Sequence, residues 1–127
     1  MAKRVLIVDD AIFMRNMIKD IFAGSGFEIR EAADGQAALA ACQQAMPDIV
    51  LLDVMMPGID GYEVCRRLKS DARAAGTFVV LMTAGHQATE EIRATAAGAD
   101  LYVAKPFSPN ELLRAVQAAA HAAPPAP

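Results

Sequence analysis

Five short runs of apolar residues, each ending abruptly and separated by stretches of helical periodicity, constrain this chain more than any other feature. Val5–Val8, Ile49–Leu52 and Phe78–Met82 are continuously apolar, the pattern of strands buried on both faces of a parallel sheet. Phe27–Ala32 alternates instead, Phe27 and Ile29 against Glu28 and Arg30, and predicts an edge strand. Leu101–Ala104 is the fifth run. Between the runs, Met14, Met17, Ile18, Ile21 and Phe22 fall at helical spacing, with Gly24 and Gly26 as a stop. Met14 and Met17 read as core-filling side chains. Asp34–Gly35 opens an Ala-rich helix that ends before Pro47, Val64, Cys65 and Leu68 mark a third helix, and a fourth, weakly amphipathic one covers about Ala88 to Ala97. Ser108-Pro109-Asn110-Glu111 is a helix start, with Ser as N-cap, Pro first in the helix and Glu three residues after the cap. Leu112, Val116, Ala119 and Ala120 form the apolar stripe of that last helix. Repeated strand–helix units predict an α/β fold, a parallel sheet with helices on both faces.

The 127 residues suit one domain, assigned to 1–121, and at 54% hydrophobic they can bury a real core. Residues 122–127 are Ala/Pro-rich and read as a tail or a truncated linker. The net charge is −3 and Lys and Arg form no cluster, which argues against direct DNA or RNA binding. Cys42 and Cys65 lie in helical stretches without metal-ligand spacing, so they read as buried thiols of a reducing cytoplasm. The first apolar run is stopped by Asp9 and Asp10, too early for a signal peptide or a membrane span; the expectation is a cytoplasmic protein with no membrane association.

Ligands of open α/β sheets bind beyond the carboxyl ends of the strands. Here the first strand ends in Asp9-Asp10, the third in Asp53, the fourth in Thr83 and the fifth in Lys105. Three carboxylates thus converge on one rim beside a hydroxyl and an ammonium. At ~5 Å and an effective dielectric of about 20, each carboxylate pair costs roughly 3 kcal/mol. One lysine does not cancel that, which implies either a bound proton or a divalent cation. Every ligand at the rim is an oxygen, a set that suits Mg²⁺ better than zinc, and Mg²⁺ with few protein ligands completes its shell with water and phosphate oxygens.

The set Asp9-Asp10, Asp53, Thr83 and Lys105-Pro106 resembles the receiver domain of bacterial two-component response regulators, in a form similar to the chemotaxis regulators. The resemblance runs from about Lys3 to Ala120, and its most specific pieces are Asp53 through Gly61 (DVMMPGIDG), Thr83-Ala84 and Lys105-Pro106-Phe107. It implies a flavodoxin-like doubly wound (βα)5 fold with strand order 2-1-3-4-5, which puts the alternating strand at an edge. By resemblance, Asp53 is the phosphoacceptor; Asp10, Asp53 and the backbone carbonyl of Met55 bind Mg²⁺, with Asp9 direct or through water. Lys105 pairs with a phosphoryl oxygen, Thr83 bonds another, and Lys105–Pro106 is a cis peptide. Thr83 and Tyr102 form the switch that remodels the face of the fourth helix, fifth strand and fifth helix. Phosphorylation would then control either a downstream protein or a covalently linked output domain, with a sensor histidine kinase or a phosphotransfer protein as donor, docking through the first helix and the loop after the fifth strand. Met55 and Gly85 occupy the positions that flank the attacking water in this family. Neither side chain can activate water, so a slowly self-hydrolysed phosphoryl group is expected.

Plainer readings stand beside these. Asp10 is placed to cap the first helix, Asp34 and Asp60 suit caps and turns with Asp60-Gly61 a turn signal, Thr83 suits an ordinary strand, Tyr102 suits edge packing and His86 a solvated loop. Among competing functions, a degenerate receiver acting as a scaffold conflicts with the intact Asp53, Thr83 and Lys105. An aspartate-nucleophile phosphatase resembles Asp-x-Asp-x-Thr after the first strand, which Asp9-Asp10-Ala11-Ile12 lacks. A nucleotide or flavin carrier needs a Gly-rich first turn, also lacking. The expected protein is therefore a switch and not an enzyme with an external substrate. Arg93, Asp100 and Arg114 are candidate contacts for a homodimer.

Overall fold

The continuously apolar runs form the inner strands of a sheet because both of their faces are covered. In a computed structural model, which describes residues 3–85 and 88–120, the strands are β1 (Arg4–Val8), β2 (Glu28–Ala32), β3 (Ile49–Asp53), β4 (Phe78–Thr83) and β5 (Leu101–Ala104). The helices are α1 (Ile12–Ile21), α2 (Gly35–Gln44), α3 (Gly61–Lys69), α4 (Ala88–Ala96) and α5 (Pro109–Ala120), with a short 3₁₀ turn at Ala72–Ala74. All pairings are parallel and the order is β2-β1-β3-β4-β5.

Successive strand residues feed two cores. Leu6, Val8, Val50, Leu52, Val79 and Leu81 pack on one face with Ala38 and Cys42 of α2, Val64, Cys65 and Leu68 of α3, and Ala94 of α4. Val5, Ile7, Ile49, Leu51, Val80 and Met82 pack on the other with Ile18 and Phe22 of this first-helix region, and Leu112, Ala115, Val116 and Ala119 of α5. Each fully buried Val, Leu or Ile contributes roughly 1.5–3 kcal/mol. Both thiols are buried, and Cys65 Sγ donates to the Ala97 carbonyl at 3.4 Å.

The caps follow the sequence pattern. Asp34 accepts from Ala37 N at 2.8 Å and Asp60 from Glu63 N at 2.9 Å. Ser108 and Glu111 exchange backbone and side-chain hydrogen bonds at 3.1 and 3.3 Å, a complete capping box. Two readings need correction. Met17 is not core filler: it is 37% exposed, since the inward line of the first helix passes through Met14, Ile18, Ile21 and Phe22 and leaves Met17 on its flank. Gly61 is not a turn residue but the first residue of α3, where an added Cβ would sit 2.2 Å from the Asp53 carbonyl oxygen. The turn before α3 is made at Gly58, with φ +81°. His86 and residues 122–127 lie outside the described residues. Among the described residues no helix is long and apolar enough to cross a membrane.

Candidate functional site

The ends of β1, β3, β4 and β5 deliver Asp9-Asp10, Asp53, Thr83 and Lys105 to one rim because those four strands are neighbours in register. Asp9, Asp10 and Asp53 each offer a carboxylate oxygen within 4.8 Å of the other two. Asp9 is 1% exposed and Asp53 3%, while Asp10 is exposed. Lys105 Nζ lies between the two buried carboxylates, 2.9 Å from Asp9 Oδ2 and 3.3 Å from Asp53 Oδ1. Its backbone N–H donates to the Thr83 carbonyl at 2.8 Å, extending the β4–β5 ladder beyond β5, and the Lys105–Pro106 peptide is cis.

The remaining bonds fix these groups. Asp9 Oδ1 accepts from Ala11 N at 3.0 Å, and Asp53 Oδ1 accepts from Met55 N at 3.2 Å. Met55 itself is exposed, and its main chain turns over the Asp53 carboxylate. Thr83 is fully buried and its hydroxyl donates to the Gly85 carbonyl at 3.0 Å. The capping alternative for Asp10 fails, because Ala11 is the N-cap of α1 and no side chain caps that helix. Tyr102 is half-buried and packs against the core that α4 covers. It pairs with Leu81, two residues before Thr83, so Tyr102 and Thr83 are diagonal neighbours on one sheet face.

Electrostatics follow from this crowding. Burial pushes the Asp53 carboxyl above its usual range, and the Asp9 charge adds to that, against the opposing pull of the Met55 N–H and Lys105. Burial opposes the charge on Lys105, but its hydrogen bond to Asp9 and the charges of Asp53 and Asp9 outweigh it and raise its pKa. One ammonium among three carboxylates leaves the rim short of positive charge. Among the described residues the donor set is all carboxylate, which fits a hard divalent cation such as Mg²⁺.

Some residues that shape the site carry no signal in the strand-end pattern. Arg15 donates from Nη1 to the Asp9 carbonyl at 2.7 Å, a contact that spacing along the chain does not announce. Gly61 allows α3 to start against the Asp53 carbonyl, which its place in an Asp-Gly pair disguised as a turn. Two of the charges considered for a homodimer are engaged within the molecule. Arg93 stacks on the Tyr62 ring at 4.1 Å, and Asp100 bonds Lys69 at 2.5 Å and Val79 N at 2.8 Å.

A five-stranded parallel α/β fold with an acidic rim, a lysine across it and a buried threonine beside it defines a signalling receiver. The family model of the response regulator receiver domain matches residues 5–117, and the chain belongs to that family. It is 39% identical over 118 residues to the DNA-binding response regulator MtrA of Mycobacterium tuberculosis, covering 93% of this chain and 50% of that protein. It is 36% identical over 115 residues to the DNA-binding dual master transcriptional regulator RpaA of Synechocystis, covering 91% of this chain and 48% of that protein. The chain thus spans about half the length of these relatives. Among solved structures, the chemotaxis response regulator CheY4 of Vibrio cholerae superposes with a TM-score of 0.88 at 32% identity, over 94% of this chain and 99% of that one. The chain is the receiver domain of a two-component response regulator.

Proposed function

We propose that this receiver takes a phosphoryl group onto Asp53 in the presence of Mg²⁺ and thereby changes its α4-β5-α5 surface. The observation that carries the reading is the placing of Lys105 between Asp9 and Asp53, beside a third carboxylate that no helix cap consumes. An Asp53 carboxylate oxygen attacks the phosphorus of a phosphohistidine. A P–O bond forms, the P–N bond breaks, and its electron pair leaves with the imidazole nitrogen. Lys105, as a point charge, and the Thr83 hydroxyl then hold phosphoryl oxygens. Asp10, Asp53 and the Met55 carbonyl would hold the cation, with Asp9 direct or through water; bound there, Mg²⁺ would supply charge neutralisation for the transferring group. The donor is a sensor histidine kinase or a phosphotransfer protein, and the output is a downstream protein or a linked domain. Relatives of about twice this length are DNA-binding regulators, which supports a linked domain; the absence of a Lys/Arg cluster supports a segment that does not itself touch nucleic acid. Met55 and Gly85 put no water-activating side chain beside the site, so the adduct is slow to hydrolyse. The receiver acts in the cytoplasm and turns over no external substrate.

Incubation with acetyl phosphate, with Mg²⁺ or with EDTA, followed by intact mass of wild type and Asp53→Asn, tests this. One phosphoryl adduct that needs both Mg²⁺ and Asp53 is the expected result. No adduct under any condition would leave a phosphorylation-independent scaffold, the second reading, in its place.

A further inference from the structure

Arg15 sits one turn into α1, and its side chain is only 13% exposed although it carries a charge. Its guanidinium spans two elements: Nη1 donates to the Asp9 carbonyl at 2.7 Å and Nε to Glu31 Oε1 at 3.0 Å. Glu31, at the end of β2, is itself held from the other side by Lys19 Nζ at 2.8 Å. Every polar group of Asp9 is thereby engaged. Its N–H donates to the Ala32 carbonyl at 3.2 Å, its carbonyl accepts from Arg15, Oδ1 accepts from Ala11 N and Oδ2 from Lys105. Asp10 is different. Its side chain is exposed and has no hydrogen-bond partner among the described residues, so only its chain neighbours aim it.

We infer that Arg15 is a positioning residue for the acidic cluster: it pins the turn between β1 and α1 so that Asp10 meets Asp9 and Asp53 in one cation site. The inference rests on the metal reading above. Three carboxylates repel one another, and a turn left to relax would move Asp10, its least restrained member, outward. The planar fork of an arginine bonds the Asp9 carbonyl and Glu31 together, whereas a lysine ammonium at the same place reaches one or the other in a single geometry. Outer partners that orient ligands in this way set metal affinity without touching the metal.

Direction of effect separates positioning from plain charge. Removing a positive charge near a carboxylate cluster tightens cation binding by Coulomb attraction alone; losing the position weakens it. The experiment is calorimetric titration of Mg²⁺ into wild type, Arg15→Lys, Arg15→Met and Asp10→Asn, with circular dichroism confirming that each is folded at the titration temperature. Wild type is expected to bind, Asp10→Asn to lose binding, and Arg15→Met to bind about tenfold more weakly, with Arg15→Lys between it and wild type. Should Arg15→Met not fold, Arg15→Lys carries the test, since it keeps the charge and loses only the fork. Binding as tight as wild type, or tighter, in the folded Arg15 variants overturns the inference while the metal reading stands. A wild type that takes up no Mg²⁺ overturns the metal reading, and the inference with it.

Discussion

Asp53 is buried beside two other carboxylates, and folding raises its pKa chiefly through that burial. A raised carboxyl pKa means that the fold favours the protonated form. The associated stability is fully present below the unfolded value near ~4 and is lost as pH rises through the higher folded value. At neutral pH, without a cation, ionised Asp53 therefore opposes folding. Asp53→Asn keeps the shape and removes the charge. In EDTA at pH 7 it should melt above wild type, by about 1 kcal/mol or roughly 3–5 °C for a domain of this size, and the gap should close as pH falls towards 4. Thermal melts across pH read this directly, and an Asn variant that melts below wild type at pH 7 contradicts it. The residues behind this behaviour were legible in the sequence because each stands where an apolar run stops, and strand ends of an open parallel sheet share a rim. The precise partnership was not legible. Lys105 approaches Asp9 more closely than Asp53, and Arg15 reaches a backbone carbonyl; both contacts depend on how α1 and the segment after β5 lie over the sheet, which no local pattern specifies.

Among the helices, α4 has the weakest apolar hold. Ala94 is its buried residue, with Ala97 just beyond its end, and each methyl contributes only about 0.8 kcal/mol. Ile92, the one large aliphatic of α4, is 66% exposed. What ties α4 to α3 is a polar clasp: the Tyr62 hydroxyl donates to Glu90, and Arg93 stacks on the Tyr62 ring and approaches Asp60 at 3.9 Å. Burial and the Glu90 carboxylate push the Tyr62 phenol up to about 12, so the donor keeps its proton at physiological pH. Tyr62→Phe retains the ring and deletes the hydrogen bond. Amides of residues 88–96 should then exchange with deuterium about tenfold faster, a loss near 1.4 kcal/mol locally, while those of β1 and β3 keep their protection. Unchanged exchange in α4 would show that the alanine contacts alone hold the helix. The weak amphipathicity of Ala88 to Ala97 already marked this element as lightly anchored; the clasp itself joins residues 28 apart and left no local pattern.

At the scale of the whole molecule the sequence carries a plainer signal than at the site. A strand with both faces covered has to be apolar throughout, whereas the edge strand β2 keeps exposed Glu28 and Glu31; β5, the other edge, is as apolar as the centre, so run composition marks one edge and not the second. Strand order came from the family resemblance and not from periodicity, because no local pattern specifies which run pairs with which. Order nevertheless decides how the proposed switch would reach a distant surface. It sets β4 beside β5 and places Thr83 diagonal to Tyr102 on the face that α4 covers. The Thr83 hydroxyl is bonded to the Gly85 carbonyl in this structure, and turning it toward a phosphoryl oxygen would break that bond and free space beside Tyr102. A coupling of ~1–3 kcal/mol suffices to shift such an equilibrium 5- to 150-fold. Acetyl phosphate with Mg²⁺ should therefore change deuterium exchange in β5 and α4 of the wild type. Thr83→Val, brought to the same adduct level by mass, should show that change reduced to near zero, since a methyl cannot follow the phosphoryl group. If β5 and α4 respond equally in both proteins, the signal travels by another route, and the diagonal pair is packing alone.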